Sequence, residues 1–94
     1  MSMNIEESKK IVKKIILEAL DQKVQIEDSM QLIGGEALLD SMKLVEVCLS
    51  LEDAAEDKGF EFDWTSDVAM SKSRSMFRSV LSLSEEFYEQ SIKD

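Results

Sequence analysis

The stretch LLDSMKLVEVCLSLED, residues 38–53, puts a carboxylate at Asp40 directly before a primary hydroxyl at Ser41. Helical spacing begins there, so the pair stands at a helix mouth, where aspartate is a strong N-cap. A cap alone accounts for Asp40. Ser41 adds an alcohol at the exposed start of a helix, a place where a group could be attached.

Other chemistry is poorly supplied. The chain has no histidine, so a serine nucleophile lacks its usual base. Its single cysteine, Cys48, excludes a disulfide framework or a cysteine zinc cluster within one chain. Cys48 also falls on an apolar stripe with no predicted base or cation beside it, which reads as a structural thiol. The acids read as solvent-facing, which leaves no buried carboxylate pair for acid–base work. The glycines form no phosphate-cradling loop, and the spacing of an EF-hand calcium loop is absent. These features argue against a self-contained enzyme and a metal site.

The 94 residues predict one domain, able to bury about 60–65% of its unfolded surface. Proline is absent and glycine occurs only at positions 34, 35 and 59, which favours helices over a turn-rich β fold. Asn4 and Glu7 form a capping-box-like pair before a first amphipathic helix over about 5–20. Its stripe is Ile5, Val12, Ile15, Ile16 and Ala19, edged by Ile11 and Leu20, with lysines opposite. Residues 21–39 read as a long loop pinned by Val24, Ile26, Leu32 and Ile33, ending near the flexible Gly34-Gly35 pair.

The second helix spans Ser41 to about Lys58, with Gly59 as its stop. One face, Leu44, Val47, Cys48, Leu51 and Ala55, suits a core. The other mixes Met42, Val45 and Leu49 with Glu46, Glu52, Asp53 and Glu56, as a partner-binding surface does. The alternation in FEFDW, residues 60–64, lays three aromatic rings on the helices without a second strand to pair with. Thr65 or Ser66 caps a short helix through Met70. Ser75 then caps a last helix over about 76–91, with Phe77, Val80, Leu81, Ser84, Phe87 and Tyr88 as its stripe.

The net charge of −9 is concentrated in the middle. Residues 27–67 hold twelve acids against Lys43 and Lys58, a net of −10. That field repels nucleic acid and anionic lipid and attracts basic protein surfaces. No apolar run approaches the ~20 residues of a membrane span, and the N-terminus lacks the pattern of a signal peptide. A cytoplasmic monomer is the expectation.

Asp40-Ser41-Met42 resembles the Asp-Ser-Leu of the acyl carrier protein family, the phosphopantetheine-bearing carriers. The helix order, the double-glycine loop and the acidity extend the likeness from about Ile5 to Tyr88. It implies an all-α four-helix bundle: three long helices, one short helix and a long first loop. It implies that Ser41, preceded by Asp40, receives 4′-phosphopantetheine from a phosphopantetheinyl transferase. A primary hydroxyl can form a phosphodiester, and a helix N-terminus favours the anionic phosphate.

The arm would carry acyl groups as thioesters to acyl-loading and acyl-using enzymes with basic surfaces. These would read Asp40, Met42, Val45, Glu46, Leu49, Glu52, Asp53 and Glu56. Leu44, Val47, Cys48, Leu51 and Ala55 would wall any acyl-chain pocket. Leu39, Lys43, the long link holding Trp64 and an extended last helix depart from the family pattern. They suggest a specialised bacterial-type member, whose cargo, whether fatty acyl, hydroxyacyl, polyketide or aminoacyl, stays open. The rival reading is an acidic helical adaptor with no covalent arm, in which Ser41 only starts a helix.

Overall fold

A computed structural model describes residues 3–21, 25–33 and 39–92, apart from the side chains of Ser73 and Arg74. The double-glycine turn and Val24 lie outside the described residues. Among the described residues, four helices run in the order α1 (Ile5–Leu20), α2 (Ser41–Lys58), α3 (Asp67–Met76) and α4 (Val80–Ile92). Among the described residues there is no strand, only an isolated antiparallel bridge between Gln31 and Ser79. The small all-α bundle expected from the sequence is therefore observed.

Local signals set the ends of the first two helices. The Asn4 side chain accepts from the Glu7 amide at 2.8 Å, and Asp40 accepts from the Lys43 amide at 2.8 Å. At the end of α1, Asp21 takes a left-handed conformation (φ 53°) and returns its amide to the Leu17 carbonyl; aspartate is among the few non-glycine residues that do so readily. α2 ends on Gly59 (φ 88°). There the Phe60 amide reaches back to the Ala55 carbonyl at 3.0 Å and the Gly59 amide to that of Glu56 at 3.1 Å. Those two bonds form a Schellman motif.

The second half of the chain corrects the sequence reading. Helix α3 runs unbroken through Ser71–Ser75 to Met76, and the last helix starts four residues later than expected. Ser66 is the cap of α3, its hydroxyl accepting from the Ala69 amide at 3.2 Å. Ser79, not Ser75, caps α4, accepting from the Ser82 amide at 3.1 Å. The two amides before Ser82 find carbonyls in the long loop: Val80 donates to Met30 at 3.0 Å and Leu81 to Asp28 at 2.9 Å. Three amides that a helix start normally leaves unpaired are thus satisfied, and the start of α4 is fixed there.

The core is built around α1, which packs chiefly on α4 and secondarily on α2. Val12, Ile16, Leu32, Val47, Cys48, Leu51, Val80, Leu83 and Phe87 are fully buried. Ser8 and Ser84 are also fully buried, at the α1–α4 contact. The Ser8 hydroxyl donates to the Ser84 carbonyl at 2.6 Å, and the Ser84 hydroxyl to that of Val80 at 2.8 Å. Small side chains that satisfy their own polarity let the two helices approach. Phe60 meets Phe87 edge-on and Phe62 meets it tilted, with ring centroids 5.2 and 5.5 Å away. The aromatic segment therefore packs on the core, as its alternation suggested. A radius of gyration of 12.2 Å matches the ~12 Å expected of a folded chain this long.

The long loop is also held by charge. Asp28 lies 2.7 Å from the Lys13 ammonium and 3.1 Å from that of Lys9. Bonds from Lys13 and then Lys9 hold its carboxyl below the usual carboxylate range. A depressed folded-state pKa gives stability that is complete above the unfolded value and lost as pH falls through the lower folded value. Asp28→Asn should therefore destabilise the protein at neutral pH, with the difference shrinking as pH falls below the usual aspartate range, as read by denaturant melts from neutral to acid pH. Leu51→Ala should cost about 2–5 kcal/mol by opening a cavity in the core, measured in the same way.

Candidate functional site

Asp40 adopts extended backbone (φ −81°, ψ 177°) and turns the chain into α2. Its carboxylate takes the Lys43 amide, and its carbonyl takes the Leu44 amide at 2.9 Å. Ser41 is therefore the first helical residue, and its side chain is exposed. Among the described residues, no hydrogen bond engages the Ser41 hydroxyl or the amides of Ser41 and Met42. A helix start leaves such amides pointing along its axis with a partial positive charge. The arrangement offers an accessible alcohol next to two N–H donors, which suits a phosphate ester.

Met42, Val45 and Leu49 follow on the outer face of α2, 79%, 43% and 50% exposed. Glu46, Asp53 and Glu56 are exposed beside them. Glu46 is partly balanced by the Lys43 ammonium 3.6 Å away. The expected apolar and acidic face is thus continuous down the helix from Ser41. Glu52 differs from its neighbours. It is only part-exposed, and its carboxylate accepts the indole N–H of Trp64, tying the 59–66 linker to α2. Sequence spacing put Glu52 on the docking face because its partner lies in the following segment.

The opposite face of α2 is sealed. Val47, Cys48, Leu51 and Ala55 are fully buried, and Leu44 is part-buried and packed against the same cluster. These side chains fill the core, so a chain could enter only by displacing them. Burial, and then the Glu52 carboxylate, push the Cys48 thiol up to about 12. Among the described residues, no three histidine, cysteine or carboxylate groups converge to hold a metal ion. No helix of the described residues is long and apolar enough to cross a membrane.

Among the exposed apolar side chains that escaped the sequence reading are Val68 and Met70 on α3, 64% and 60% exposed. Their helix has little apolar stripe, so periodicity could not assign them a face. No protein-family model, curated protein or solved structure matches the chain.

The sealed thiol gives a direct check on the core face. At pH 8, Cys48 should react with a thiol reagent about 10³-fold more slowly in the folded protein than in denaturant, following the lowered thiolate population. Mass spectrometry of timed alkylation reads this.

Proposed function

We propose that the chain is a carrier of the acyl-carrier type, with 4′-phosphopantetheine attached through a phosphodiester to Ser41. The observation that carries this reading is the exposed, unengaged Ser41 hydroxyl at the first turn of α2. Met42, Val45 and Leu49 run on from it beside Glu46 and Asp53. Ser41 supplies the alcohol oxygen, and a separate transferase supplies the activation. The amides of Ser41 and Met42 favour the phosphate by their partial positive charge. Asp40 holds the helix start in place through Lys43. When bound, the arm offers a thiol that carries acyl groups as thioesters.

The outer face of α2 then serves partner recognition. Its acids steer basic enzyme surfaces, and the three apolar side chains supply contact area. Glu46, Asp53 and Glu56 are placed for this role, while Glu52 also secures Trp64. Shelter for a long acyl chain would require Leu51 and its neighbours to part, since the core side of α2 is filled.

Incubation with coenzyme A, magnesium and a broad phosphopantetheinyl transferase, followed by intact-mass measurement, should give one phosphopantetheine adduct. Ser41→Ala should abolish it. Glu46→Lys with Asp53→Lys should slow loading while shifting stability by under ~0.5 kcal/mol per site. An unchanged mass with several transferases would instead support an acidic adaptor with no covalent arm.

A further inference from the structure

One gap between the helices is left unfilled. α3 packs on α4 and makes no close backbone approach to α1 or α2. Between the end of α2, the linker, α3 and α4 lies an open cleft of about 760 Å³. Phe60, Val68 and Ala69 provide its apolar lining. Glu56 from α2, Glu61 and Asp63 from the linker, and Glu86 from α4 surround it with carboxylates. Among the described residues, the one cation on its wall, Lys72, stands 3.6 Å from Glu86 and is already paired. An adjoining hollow shares Glu56, Phe60, Glu61 and Asp63 and adds Glu52.

The charge is spread along the cleft rather than focused. Among the described residues, these acids do not converge on any point where a metal ion could bind. Spread carboxylates beside an aromatic and aliphatic lining suit several separate cations joined by apolar groups. Nucleic acid and anionic lipid carry the wrong sign. We propose that this cleft docks a short basic segment of a partner protein, its lysines or arginines meeting Glu56, Glu61 and Asp63 and an aliphatic side chain resting on Phe60 and Val68. The cleft shares only Glu56 with the outer face of α2, and the adjoining hollow adds Glu52. Glu56 lies fifteen residues beyond Ser41, about 22 Å along the helix. Docking there is independent of whether Ser41 carries an arm.

The test uses the full ¹⁵N-labelled chain titrated with a short capped peptide of alternating lysine and leucine. A matched glutamate–leucine peptide and spermine serve as comparisons. Amide shifts should concentrate at Gly59, Phe60, Val68 and Ala69, with a change in emission from Trp64, the only tryptophan. Affinity should fall about tenfold or more in Glu56→Lys/Glu61→Lys and about threefold in Val68→Ser, and weaken steeply with added salt. Ser41→Ala should bind as the parent does. Glu61→Lys alone, with a smaller expected loss, serves should the double variant not fold. Shifts confined to Met42–Leu49 would overturn the assignment. So would unchanged binding by the charge-reversal variants, or spermine matching the peptide in affinity and in the residues it moves.

Discussion

The beginning of α4 depends on carbonyl oxygens from a loop some fifty residues earlier in the chain. Met30 and Asp28 accept from Val80 and Leu81, and Ser79 completes the set with Ser82. Without these partners, the first turn of α4 would need water for its amides while packed against the body of the protein. The same loop is fastened to α1 by Asp28, held between Lys9 and Lys13. A single junction therefore joins the first helix, the long loop and the last helix. It sets where Leu83 and Phe87 enter the core and where Ser84 meets Ser8.

That junction also explains which parts of the fold were legible in the sequence. The limits of α1 and α2 were readable because their determinants are local: Asn4 with Glu7, Asp40 with Lys43, and Gly59 after Lys58. The start of α4 was not readable, since Ser75 and Ser79 are equally good caps by type and the choice is made by distant carbonyls. The polar run Ser71–Ser75 hides the second half of α3 from any reading of apolar spacing. Packed only on α4, that helix needs no continuous apolar stripe.

The candidate site divides in the same way. Ser41 and the outer face of α2 follow from cap chemistry and a period of 3.6, and the structure brings them onto one surface. The separation of Val47, Cys48, Leu51 and Ala55 into the core was equally plain. Glu52 was legible as a position on the helix but not as the partner of Trp64. The acid-lined cleft was hidden altogether. Its walls come from α2, the linker, α3 and α4, and no pattern within one segment encodes a space between several.

The pairing of α1 with α4 has a consequence for how the protein is made. The ribosome releases the first helix long before its principal neighbour exists. Val12 and Ile16 emerge with only α2 available for partial cover, and the pocket for them is completed when Leu83 and Phe87 leave the exit tunnel. Folding therefore waits for the most distant helix, and the apolar stripe of α1 stays only partly covered until α4 has been made.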